Sequence, residues 1–119
     1  MNRILIVDDE PIVCNTIARI FNHNSAATVT TCSSGSEALR LFRLWNFKIV
    51  ITDVKMPGMD GITLLKILKS IKPNLPVFII TGFATDELEK ESLQYKAHQF
   101  IPKPFEVQDI KTSIDGLLS

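Results

Sequence analysis

A doubly wound α/β fold, a parallel sheet with helices on both faces, is predicted from three observations. Apolar runs of strand length, Ile4-Leu5-Ile6-Val7, Ile49-Val50-Ile51 and Val77-Phe78-Ile79-Ile80, are continuous instead of alternating, as in strands covered on both sides. Between them lie segments of helical period, long enough to return the chain to a parallel neighbour. Five such strand-helix units can be traced from end to end, where a closed barrel needs eight.

The first strand, Ile4 to Val7, runs into Asp8-Asp9-Glu10. Pro11 suits the first turn of a helix, where a missing N–H costs nothing, and Val13, Ile17, Ile20 and Phe21 follow at helical spacing. A weaker strand covers Ala27 to Thr31. Ser34-Gly35-Ser36-Glu37 has the capping-box pattern and opens a helix with Ala38, Leu41, Phe42 and Trp45 on one face. The third strand, Ile49 to Asp53, is followed by a loop punctuated by Pro57-Gly58 and Asp60-Gly61, then by a helix marked by Leu64, Leu65, Leu68 and Ile71. Pro73 and Pro76 bracket the connection to the fourth strand, Val77 to Thr81. The segment Thr85 to His98 offers only Leu88, Leu93, Tyr95 and Ala97 for packing, so its helix is expected to be the least buried. A short fifth strand, Gln99 to Pro102, precedes a helix whose inner stripe is Val107, Ile110, Ile114 and Leu117. The arrangement that accommodates these units is a flavodoxin-like five-stranded parallel sheet, order 2-1-3-4-5, with five helices.

With 119 residues, one core and a single domain over 1–119 are expected, without a separate effector domain. Thirteen basic and thirteen acidic residues leave no global positive field, so this domain is not expected to bind nucleic acid directly or to adhere to an anionic membrane. The composition, 45% hydrophobic and 22% charged, is that of an ordinary globule. No apolar run approaches the roughly 20 residues that span a bilayer. Met1-Asn2-Arg3 leads straight into a strand without a signal region, and a cytoplasmic location is expected. Cys14 and Cys32 lack CxxC spacing and read as free, partly buried thiols.

Ligands of doubly wound sheets bind at the carboxyl ends of the strands. Those ends carry Asp8 and Asp9, Asp53 and Thr81, with Lys103 just after the fifth strand. One acid there is an ordinary turn former or cap; three together need another reason. Like charges ~4 Å apart repel by about 4 kcal/mol at an effective dielectric near 20, and three carboxylates outweigh one ammonium. A divalent cation would cancel the excess, and oxygen donors without His or Cys select Mg²⁺ over zinc; His23 and His98 fall elsewhere in the pattern. An aspartate beside Mg²⁺ can attack a phosphoryl group while a lysine and a threonine hydroxyl steady its oxygens, roles open to Asp53, Lys103 and Thr81. Met56, Met59 and Trp45 read as packing residues.

Four segments in order, Ile4 to Glu10 (ILIVDDE), Asp53 to Gly61 (DVKMPGMDG), Ile80-Thr81-Gly82 and Lys103-Pro104-Phe105, resemble the receiver domain of two-component response regulators over essentially the whole chain. The resemblance implies that Asp53 is the phosphoacceptor. It further implies that Asp8, Asp9, Asp53 and the backbone carbonyl of Lys55 hold Mg²⁺, and that Thr81 and Lys103 contact the phosphoryl group. Phe100 stands at the family's aromatic switch position, so Thr81 and Phe100 form the expected switch. The donor implied is a phosphohistidine of a sensor histidine kinase or phosphotransfer protein, and the domain would catalyse only its own phosphorylation and dephosphorylation. MxPGMDG and TGFATDE are most similar to receivers of enhancer-binding transcription activators. Lys55 and Phe83 occupy the two positions that tune phosphoryl lifetime in this family; neither offers a carboxylate or amide to orient water, so slow hydrolysis is expected. The Lys103-Pro104 bond is expected to be cis, because the lysine must reach back toward Asp53. Output, with homodimerisation, is expected through the fourth helix, fifth strand and fifth helix. Two departures stand out: Lys96-Ala97 replaces the usual Gly-Ala, and Phe100 lacks a tyrosine's hydroxyl.

Two other functions fit less well. An aspartyl-nucleophile phosphatase resembles DxDxT, and Lys55 stands in place of its second acid. A flavin mononucleotide carrier needs a Ser/Thr/Gly-rich phosphate loop after the first strand, where Asp8-Asp9-Glu10 would repel the phosphate.

Overall fold

Alternate residues of each continuous apolar run point to opposite faces of a sheet, so a strand with no polar position needs cover on both sides. The computed structural model, which describes residues 2–22 and 27–118, supplies that cover. Its elements are β1 (Asn2–Val7), α1 (Pro11–Asn22), β2 (Ala27–Cys32), α2 (Gly35–Leu44), β3 (Ile49–Asp53), α3 (Gly61–Ile71), β4 (Val77–Thr81), α4 (Asp86–Gln94), β5 (Gln99–Pro102) and α5 (Val107–Leu118). The strands pair in parallel in the order β2-β1-β3-β4-β5.

Two cores result. Leu5, Val7, Val50, Val77 and Ile79 face Ala38, Phe42, Leu64, Leu65 and Leu68 of α2 and α3. Ile4, Ile6, Ile49, Ile51, Phe78 and Ile80 face Ile17 and Phe21 of α1 and Ile110 and Ile114 of α5. Register places the ends of β3 and β4 level, with Asp53 opposite Ile80, and the end of β5 beside Thr81.

The helix starts follow from side-chain caps. Ser34 Oγ accepts from the Glu37 N–H (3.2 Å), Asp60 Oδ1 from the Thr63 N–H (2.8 Å) and Thr85 Oγ1 from the Leu88 N–H (3.1 Å), each satisfying an N–H that the helix leaves unpaired.

Four expected packing positions differ. Trp45 is the C-cap of α2, not part of its inner face, and half of its surface is exposed, with the Arg3 guanidinium 4.3 Å above its ring. The helix ends one residue earlier than the apolar period suggests, and the cation on the indole face takes the place of core packing. Ile71 of α3, Leu93 of α4 and Leu117 of α5 are also exposed, and at the end of α5 it is Leu118 that packs against the core. Cys14 and Cys32 are free and buried as expected; burial, first among the causes, pushes their thiols up to about 11 and about 12. Among the described residues no helix is long and apolar enough to cross a membrane. His23 lies outside the described residues.

Candidate functional site

The site is assembled at the carboxyl edge by three short hydrogen-bonded turns. After β1, the Asp8 N–H donates to the Cys32 carbonyl (3.1 Å), continuing the strand pairing by one residue. Asp8 Oδ1 then accepts from the Glu10 N–H (2.9 Å), which folds the chain back into α1 and leaves Asp8 only 2% exposed. After β3, Asp53 Oδ1 accepts from the Val54 N–H (2.8 Å). The Gly61 N–H donates to the Val54 carbonyl (2.8 Å), and a Cβ on Gly61 would collide with the Asp53 carbonyl oxygen, so only glycine lets α3 start this close to the acid. After β4, Thr81 Oγ1 accepts from the Phe83 N–H (3.0 Å), and the Lys103 N–H donates to the Thr81 carbonyl (2.7 Å), tying the end of β5 to the end of β4. The Lys103–Pro104 peptide is cis.

These turns converge on one ammonium. Lys103 Nζ donates to Glu10 Oε1 at 2.9 Å, Asp8 Oδ2 at 3.2 Å and Asp53 Oδ2 at 3.5 Å. A carboxylate oxygen from each of the three acids lies within 4.8 Å of the others. Burial raises the Asp8 carboxyl above the usual carboxylate range, against the Glu10 N–H and Lys103, which lower it. Burial likewise raises Asp53, and the Asp8 charge adds to the effect while Lys103 opposes it. Burial works to lower the Lys103 ammonium, but the hydrogen bonds to Glu10 and Asp8 and the charge of Asp53 outweigh it and raise the group overall. One lysine does not neutralise three acids, and an all-oxygen donor set with surplus negative charge fits a hard divalent cation such as Mg²⁺.

The acids open to solvent through a cavity of about 330 Å³ whose walls include Asp9, Lys55, Gly82 and Phe83. Lys55 and Phe83 touch across its mouth, the Lys55 ammonium lying 4.6 Å from the Phe83 ring centroid, and both also line a larger, open cleft of about 810 Å³ along α4. Burying nothing ionisable, that cleft is a surface feature of α4 and not the chemical centre.

Of the residues expected from sequence, Asp8, Asp53, Thr81 and Lys103 come together, and Asp9 stands exposed at the cavity mouth. Phe100 lies away from the acids, opposite Ile79 in the β4–β5 pairing, half-buried against the core. Sequence reasoning assigned no role to Glu10, whose carboxylate makes the shortest bond to Lys103. The signal was the acidic run Asp8-Asp9-Glu10, but the run alone does not show which of its side chains turn toward the lysine.

Comparison with known proteins agrees with this geometry. The model of the response regulator receiver domain matches residues 4–115. The chain is 34% identical to the uncharacterized transcriptional regulatory protein YesN of Bacillus subtilis, covering 100% of this chain and 33% of YesN. It is 32% identical to the DNA-binding transcriptional regulator NtrC of Klebsiella pneumoniae, covering 96% of this chain and 24% of NtrC. It thus spans a third or less of these relatives. Among solved structures it is similar to the response regulator TrrA of Thermotoga maritima in complex with Mg²⁺ and beryllofluoride, with a TM-score of 0.85 at 26% identity over 98% of this chain and 99% of that one. The chain therefore belongs to the response regulator receiver domain family, the signalling modules of two-component systems.

Proposed function

We propose that this receiver accepts a phosphoryl group on Asp53 from the phosphohistidine of a sensor histidine kinase or phosphotransfer protein. The observation that carries the reading is the buried Asp53 carboxylate, with one oxygen held by the Val54 N–H and the other facing Lys103, beside Asp8 and Glu10. Asp53 Oδ2 attacks phosphorus as the N–P bond breaks; the departing imidazole nitrogen keeps the bonding pair, and the new O–P bond is an acyl phosphate. Mg²⁺, when bound, neutralises charge on the transferring phosphoryl oxygens. Its proposed ligands are Asp8, Asp9, Asp53 and the backbone carbonyl of Lys55, and the Mg²⁺ in the similar TrrA structure supports that choice of ion.

Lys103 supplies a second positive charge to the phosphoryl oxygens. The Thr81 hydroxyl oxygen already accepts from Phe83, so its own proton is available to donate to a phosphoryl oxygen. That donation draws on a residue joined by hydrogen bonds to both Phe83 and Lys103, and through them to α4 and β5. Thr81 and Phe100 are the proposed switch, α4, β5 and α5 the proposed output and homodimer face, and control of transcription the proposed output, as YesN and NtrC are transcriptional regulators. Nucleic acid is not a proposed ligand of this domain.

Phosphoramidate with Mg²⁺ is expected to give a hydroxylamine-labile adduct in the intact mass, abolished by EDTA and by Asp53→Asn. An undiminished adduct in Asp53→Asn would overturn the assignment. Beryllofluoride is expected to shift amide resonances from Phe83 to Phe105; shifts confined to the neighbours of Asp53 would remove the support for a switch.

A further inference from the structure

Lys103 has three partners, and they are not equivalent. The bond to Glu10 is the shortest at 2.9 Å and the one to Asp53 the longest at 3.5 Å, at the limit of a hydrogen bond. Asp8 and Asp53 are nearly inaccessible, whereas the Glu10 side chain is 62% exposed. Glu10 therefore draws the ammonium toward solvent, away from the Asp53 oxygen that faces it. A lysine closed tightly on that oxygen would hold the lone pair the attack requires. A lysine far from it would leave the phosphoryl oxygens without their counter-charge.

On the reading that Asp53 is the phosphoacceptor, we propose that Glu10 is a positioning residue that holds the Lys103 ammonium off Asp53 Oδ2 before transfer and releases it to the phosphoryl group afterwards. The exposure of Glu10 suits release. An ion pair open to water contributes little, because each partner is readily rehydrated, so a phosphoryl dianion inside the pocket competes successfully for the lysine. Asp8, buried and bonded to the Glu10 N–H, cannot let go so cheaply and remains the fixed end of the arrangement.

The test compares wild type, Glu10→Gln, Lys103→Met and the double variant, with phosphoramidate as donor at saturating Mg²⁺. Expected are an adduct-formation rate lower by roughly three- to tenfold in Glu10→Gln and no further loss when Glu10→Gln is added to Lys103→Met. Glu10→Asp, which restores the charge, should recover part of the rate. Mg²⁺ affinity, measured by calorimetry without any donor, should change less than about threefold in Glu10→Gln, and thermal unfolding should be unchanged because Glu10 is exposed. A rate in Glu10→Gln equal to or above wild type overturns the proposal. So does an equal loss in the Lys103→Met background, which would show that Glu10 does not act through the lysine. A tenfold or greater loss of Mg²⁺ affinity would make Glu10 a metal ligand and overturn it as well. An adduct that persists in Asp53→Asn is the separate outcome that defeats the underlying assignment of the acceptor.

Discussion

Helices α3 and α4 follow neighbouring strands and begin with the same kind of side-chain cap, yet they are held in opposite ways. In α3, Gly61, Ile62, Leu64, Leu65 and Leu68 are buried, and the first turn closes against the backbone of Asp53. In α4 the buried residue is Ser92, whose hydroxyl donates to the Leu88 carbonyl of its own helix. Its first turn carries Asp86, Glu87 and Glu89, acids that favour a helix N-terminus locally without anchoring it to anything. The two also end differently. The last turn of α3 closes on Lys72 at φ −135°, outside the left-handed region. The end of α4 is a Schellman turn: the Ala97 N–H donates to Ser92 and the Lys96 N–H to Leu93, with Lys96 in the left-handed region at φ 71°. One helix is part of the frame that fixes Asp53; the other is capped at both ends and loosely attached, the condition for moving as a unit.

The largest expected effect breaks the frame. Leu65→Ala in α3 should cost about 2–5 kcal/mol in urea unfolding, while Leu88→Ala, half-buried in α4, should cost less than about 2 kcal/mol. Equal losses would erase the contrast between the helices.

Charge removal at the fixed side comes next. Asp53→Asn keeps an acceptor for the Val54 N–H and relieves the crowding of carboxylates, so it should stabilise the Mg²⁺-free protein at neutral pH. The sign follows from burial, which raises the folded carboxyl above its unfolded value. As pH rises, the unfolded chain gives up this proton first, so stability falls from the unfolded value up to the folded one and stays lower above it. Thermal unfolding against pH should show that fall in wild type and a smaller one in Asp53→Asn.

Lys96→Gly should stabilise the protein by about 1 kcal/mol, because glycine occupies the left-handed region without the Cβ clash. Lys72→Gly at the end of α3 should bring no gain. A neutral Lys96→Gly, measured by chemical denaturation, would mean that the turn is not strained.

The smallest effect concerns the mouth between the two helices. A contact between the Lys55 ammonium and the Phe83 ring is worth about 0.5–1 kcal/mol, so Lys55→Asn or Phe83→Ala should hasten phosphate loss from the isolated phosphoprotein by about two- to fivefold. If neither variant loses phosphate faster than wild type, shielding by this pair is the wrong account.

Much of this was legible in the sequence. Short continuous apolar runs bounded by turn signals suit strands covered on both faces, so Ile4 to Val7, Ile49 to Asp53 and Val77 to Thr81 place Asp8, Asp53 and Thr81 at one edge once the strands are parallel. The polar content of Thr85 to His98 already marked the loosely packed helix, whereas Lys96 in place of glycine suggested only altered packing at its end, and the left-handed φ there is visible only in the structure. Tertiary structure decided what periodicity does not encode: how side chains fan out where regular structure stops. Glu10 turns toward Lys103 while its N–H bonds the Asp8 carboxylate, and Trp45 lies exposed beneath Arg3 at the point where α2 ends. Likewise Lys55 and Phe83 each follow a rim residue by two positions, but only the close approach of two loops brings ammonium and ring into contact. A repeating hydrogen-bond pattern fixes the direction of side chains inside helices and strands. At the strand ends, where the chemistry sits, that repetition stops, and direction is set by contacts between residues far apart in sequence.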